Sequence, residues 1–160
     1  KPEHLNRDFL YPDGTENQLA HWSRIGALVG GKTPESAPRL AVWNDAGSGS
    51  LDRRARAWLD INCAHCHAPD GPARNSGLDL RWTQENPTAF GVMKPPVAAG
   101  QGSGGRPYDI VPGRPDDSIM AFRIGSTHPA AMMPELGKRL VHDEGVALIR
   151  EWIAAMPASR

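Results

Sequence analysis

The sequence predicts an all-α fold, with a helical domain over residues 49–160 and a mostly irregular N-terminal extension over 1–48 carrying one short helix. Three observations predict it. Leu51, Ala55, Trp58 and Leu59 fall at i, i+4, i+7 and i+8, which makes one apolar helical face. Val146, Ile149, Trp152 and Ile153 make a second such stripe near the end of the chain. No alternating strand pattern of useful length and no internal repeat appears.

At 160 residues the chain has the length of one ordinary domain with its own core. Its 39% hydrophobic content excludes glycine, and the 17 Gly bring it to the roughly 45–50% apolar fraction of globular proteins. Lys and Arg number 18, as do Asp and Glu. With zero formal net charge, no whole-molecule field points to nucleic acid or an anionic membrane. No stretch approaches the roughly 20 apolar residues of a membrane span, and Lys1-Pro2-Glu3-His4 lacks the apolar region of a signal peptide. Opening on Lys rather than Met suggests a processed or excised piece.

Residues 1–48 are rich in Pro, Gly, Asn and charge, with a Pro12-Asp13-Gly14 turn and a run in which Leu19, Trp22 and Ile25 recur at helical spacing. This reads as an extension wrapped on something larger. Ser50 suits the N-cap of a helix over 51–62 that runs straight into Cys63. Turns at Pro69 to Pro72 and a Gly-rich run from Gly100 to Gly105 follow. Pro115-Asp116-Asp117-Ser118 opens a short helix through Ile119, Phe122 and Arg123, ending near Gly125. Asp143 and Glu144 open the last helix, over 143–155, and Pro157 lies just past it.

Cys63-Ala64-His65-Cys66-His67 is C-x-x-C-H, the attachment pattern of a covalently bound haem. Two thiols three positions apart at a helix end reach the two vinyl groups on one porphyrin edge, and the adjacent imidazole projects beneath the iron. A thioredoxin-type dithiol needs a βαβ context that is missing around Trp58 to His67. A structural zinc needs four N/S ligands, and His4, His21, His65, His128 and His142 show no second paired spacing. A disulfide across so short a loop would leave His67 unexplained. The ring nitrogen of His67 that does not face the metal needs a fixed acceptor, for which the Pro72 carbonyl is a candidate.

A second axial ligand is commonly a Met thioether. Met156 and Met120 are most simply core residues. Met133 precedes Pro134, which pushes its backbone into an extended form able to present the side chain. Met133 is therefore the leading candidate, ahead of Met132, His128, Met93 or an open sixth position.

With these residues in place, the chain resembles the class I cytochrome c superfamily over about residues 50–157. A helix enters C-x-x-C-H, a Gly-Pro turn stands at Gly71-Pro72, Met133-Pro134 follows, and a final helix closes the pattern. More narrowly, Glu16-Asn17-Gln18-Leu19 and the stretches Val111 to Ser118 and Met133 to Gly137 are similar to haem domains that accompany exported bacterial sugar or sorbosone dehydrogenases, some dependent on pyrroloquinoline quinone. The resemblance implies a cytochrome c fold around one haem c, held by Cys63, Cys66 and His67 with Met133 opposite, and first and last helices that cross near Trp58 or Leu59, Ile149 and Trp152. It implies one-electron transfer, not bond-making catalysis, with redox proteins as partners, a fused or docked dehydrogenase among them. The alternative is a haem enzyme or gas sensor with an open or labile sixth site. Because bacteria attach haem covalently outside the cytoplasm, a periplasmic or otherwise exported location is expected. Glu135 stands where many relatives carry a second Pro, a departure expected to loosen that loop.

Among weaker candidates for contact with haem propionates are Arg114 and Arg123, for which surface salt bridges are the alternative, and the indole N–H of Trp82. Arg53, Arg54 and Arg56 read as a solvated helix face or a docking patch for an acidic partner. Gly26 to Thr33 satisfies the phosphate-binding pattern G-x-x-x-x-G-K-[ST] to the letter. It lacks the strand before and helix after that would give the pattern meaning.

Overall fold

Helix α3, Leu51–Asn62, forms where the apolar spacing places it, with Ser50 Oγ accepting the Arg53 N–H at 3.3 Å as N-cap. The computed structural model describes residues 1–97 and 99–158 of the chain. Before α3 come α1 (Pro2–Leu5), β1 (Asp8–Tyr11), β2 (Gly14–Asn17) and α2 (Gln18–Arg24). After it come α4 (Ile119–Gly125), entered through a 3-10 turn at Pro115–Asp117, and α5 (Asp143–Ala155).

The expectation of an all-α fold around a haem is corrected. β1 and β2 form a two-stranded antiparallel sheet, with Asp8 opposite Asn17 and Tyr11 opposite Gly14. The expected Pro12-Asp13-Gly14 turn falls at the bend of this unexpected hairpin, and Gly14 supplies the positive φ of 133° that its exit requires. What misled the periodicity reading is that both strands lie on the surface, so neither has an apolar face to alternate. α3, α4 and α5 bury a cluster of side chains against one another, among them Leu59, Ile149 and Ile153 at 0% exposure.

α3 and α5 meet at Gly145, where a Cβ would stand 2.6 Å from the Trp58 ring. Only glycine lets the helices approach that closely. Each Trp of the crossing then finds a polar partner: Trp58 Nε1 donates to His142 Nδ1 at 3.2 Å and Trp152 Nε1 donates to Asp52 Oδ1 at 2.9 Å. α4 adds Met120, Ala121 and Ile124 to the same core. Full burial of one such aliphatic side chain stabilises by roughly 1.5–3 kcal/mol.

The extension docks differently. Of the helical run Leu19, Trp22, Ile25, only Leu19 is buried, and Ile25 is 56% exposed. Buried Asn6 instead donates to the carbonyls of Pro34 and Ala37 at 2.9 and 2.8 Å and accepts from Asn17 Nδ2. Asp60, on α3 and 1% exposed, receives Lys1 Nζ at 2.7 Å, His4 Nε2 at 2.6 Å and the Trp82 N–H at 3.1 Å. Burial, the strongest influence on Asp60, works to raise its pKa, but the bonds from His4, Lys1 and Trp82 outweigh it and hold the carboxyl below its ordinary 3.8.

Candidate functional site

α3 ends at Cys63, whose N–H still donates to Leu59 O at 2.8 Å. The chain then turns tightly, the N–H groups of Cys66 and His67 both reaching Cys63 O, at 3.1 and 2.9 Å. The turn is held from outside by Ala73 N–H on Cys66 O at 3.0 Å and Leu80 N–H on His67 O at 2.9 Å. Gly71 makes this possible, since a Cβ there would sit 2.2 Å from Cys66 O. Both thiols are free and half-buried at one helix end.

His67 is 8% exposed. Its Nδ1 lies 3.0 Å from Ser76 Oγ, which in turn donates to Ala73 O at 2.7 Å. Ser76, not the Pro72 carbonyl, is therefore the group that orients the ring; Pro72 lies exposed on the outside of the turn. Nothing in the sequence marks Ser76, because its role depends on the 3-10 turn Arg74–Ser76 folding back under His67. Burial first, then the charge of Arg123, push His67 below its ordinary 6.5, while Glu135 opposes the shift. The ring is neutral at pH 7, the form with a lone pair to offer a metal.

The thiols differ from those of a redox dithiol. Burial, and then the neighbouring Cys66, push Cys63 up to about 12. A nucleophilic C-x-x-C works through a depressed thiolate pKa, the opposite of the direction at Cys63. Among the described residues no group of three or more His, Cys, Asp or Glu that could hold a metal ion occurs. A haem iron asks the protein for only one or two axial ligands, so the donor set of two cysteines and a buried, oriented His67 fits that group.

Met133 is half-buried on the segment after α4, and its N–H donates to Arg123 O at 3.1 Å. Arg123 runs along this segment: Nε donates to Ala131 O at 3.0 Å and Nη2 to Glu135 Oε1 at 3.3 Å. Glu135 thus ties this loop to Arg123. Arg123 and Glu135 are also the two charges with the largest influence on His67. Met93 stands apart in the left-handed region, at φ 50°, and His128 is exposed.

The Trp82 N–H is held by Asp60 on α3. Its ring lines two cavities of about 310 and 320 Å³, one shared with Arg39, Arg53 and Arg56, the other with Lys1, Lys32 and Arg81. Neither is lined by Cys63, Cys66 or His67. The arginine cluster of α3 is only partly a solvated face: Arg54 donates to Trp43 O at 3.2 Å, and Arg56 donates to Gln84 O and stacks 4.2 Å over Phe90. Arg114 pairs with Asp117. The phosphate-loop look-alike follows α2 instead of a strand. No described helix is long and apolar enough to cross a membrane.

Comparison with protein-family models, curated proteins and solved structures returned no match.

Proposed function

We propose that this chain is a one-electron carrier holding one haem c through Cys63, Cys66 and His67, with Met133 as the second axial ligand. The observation that carries the reading is the pairing of two free thiols at the end of α3 with a buried histidine whose Nδ1 is held by Ser76 and whose Nε2 has no hydrogen-bond partner among the described residues. When bound, the haem supplies a reversible ferric/ferrous couple, and a thioether ligand raises its potential. The chain's own residues do the positioning. Ser76 fixes the ring orientation and so the nitrogen that faces the metal. The low-dielectric surroundings of Cys63 and His67 disfavour extra charge there, a second influence on the potential. The partners would be redox proteins, a dehydrogenase among them, in an exported compartment.

Expression with haem-attachment machinery, followed by a pyridine haemochrome assay, tests the cofactor. A spectrum of vinyl-saturated haem at one per chain is expected, and a colourless protein sinks the reading. Carbon monoxide added to the reduced protein tests the sixth position. Little binding in the native protein, and rapid binding with loss of low-spin character in Met133→Ala, is expected. Rapid stoichiometric binding to the native protein would instead mark an open site, suited to a haem enzyme or gas sensor.

A further inference from the structure

The segment that carries Met133 has little apolar anchorage. Pro134, Glu135, Leu136 and Gly137 are exposed, as are Arg139 and Leu140; Leu136 and Leu140 are 88% and 84% exposed. Lys138 alone turns inward. Its Nζ donates to Met133 O at 3.2 Å, to Ile124 O at short range and, at the limit, to Arg123 O at 3.5 Å. Ile124 and Arg123 belong to the last turn of α4, whose carbonyls are left over at the negative end of the helix dipole. No carboxylate pairs with Lys138 among the described residues, so its charge is directed at those carbonyls. The Met133 N–H on Arg123 O and the Arg123 side chain on Ala131 O and Glu135 close the same lock from the other side.

We infer that Lys138 is a positioning residue, whose ammonium pins the Met133 carbonyl to the C-terminal end of α4 and thereby sets where the Met133 thioether stands. The inference rests on the haem reading above. Lys138 does not touch the reacting centre; it acts through the backbone on either side of the ligand. Three carbonyls converging on one ammonium is a geometry an amide cannot reproduce, because a glutamine offers two donors on a planar group and no charge. An arginine keeps the charge and several donors, so it should rescue in part.

The experiment compares Lys138→Gln, Lys138→Arg and Met133→Ala in the haem-loaded protein by two readouts. The first is the far-red charge-transfer band of thioether-ligated ferric haem, together with carbon monoxide binding after reduction. The second is hydrogen exchange at the Met133 amide against amides in the middle of α3. Lys138→Gln is expected to weaken or abolish the band, admit carbon monoxide and speed Met133 exchange at least about tenfold, the factor that losing one charge-assisted hydrogen bond implies. Exchange in α3 should stay unchanged, and Lys138→Arg should lie between. A Lys138→Gln protein with the native band and native Met133 exchange overturns the inference; so does faster exchange everywhere, which would mean general destabilisation. If Met133→Ala leaves the spectrum unaltered, the ligand reading fails, and the clamp is judged by exchange at Met133 alone.

Discussion

The N-terminal extension and the three-helix core are held by opposite means. The core of α3, α4 and α5 closes over aliphatic and aromatic side chains, with Leu59, Ile149 and Ile153 wholly buried. The extension is fastened by polar side chains with several bonds each: Asn6 to Pro34, Ala37, Pro38 and Asn17, Glu16 to Arg24 and His21, Asp60 to Lys1, His4 and Trp82. Apolar burial is non-directional and tolerates small shifts, whereas a buried carboxylate depends on every partner being in place. The core should therefore fail gradually with lost volume, and the extension sharply with the loss of one group.

Ile149→Ala should produce the largest loss, about 3–4 kcal/mol of global stability, since it opens a cavity at the α3–α5 crossing. A urea titration that shows a lower midpoint with an unchanged slope would agree with it. Asp60→Ala should cost about 3 kcal/mol by leaving Lys1, His4 and the Trp82 N–H without their acceptor. Unlike the core substitution, it should make residues 1–48 selectively sensitive to limited proteolysis. Asp60→Asn, whose amide oxygen still accepts from Trp82, should do less harm. Equal sensitivity of the extension in Ile149→Ala and Asp60→Ala would erase the contrast between the regions.

Acid should sharpen the same contrast. Because the folded Asp60 carboxyl titrates below its ordinary 3.8, its contribution is complete above the usual carboxylate range and is lost as pH falls through the depressed folded value. Release of the extension should accompany that fall in the native protein and be absent as a separate step in Asp60→Asn, followed by proteolysis or fluorescence against pH. The smallest effect is expected at Trp22 and Ile25. Both are exposed although they keep helical spacing, and Ile25→Ala should change stability by no more than about 0.5 kcal/mol.

The legible parts of the molecule are those in which a period carries the information. α3 and α5 lie where their stripes put them, down to the Ser50 cap and the α4 end near Gly125. The hairpin was half legible: its turn could be read, its exposed strands could not. At the candidate site, C-x-x-C-H is a local motif and needs no fold to be seen. Ser76, Lys138 and the Arg123–Glu135 pair were invisible, since each acts through a carbonyl or hydroxyl that only folding brings near.

By itself, then, the sequence determined two helices, their buried faces, and a candidate site at Cys63, Cys66 and His67. The reason is that these depend on residues a few positions apart along one chain. Tertiary structure alone decided that Gly145 admits Trp58, that Asp60 anchors the extension, that Ser76 orients His67, and that Lys138 and Arg123 hold the Met133 segment to α4. Those are directional bonds between groups distant in sequence, and no local pattern of residue types encodes the approach that makes them.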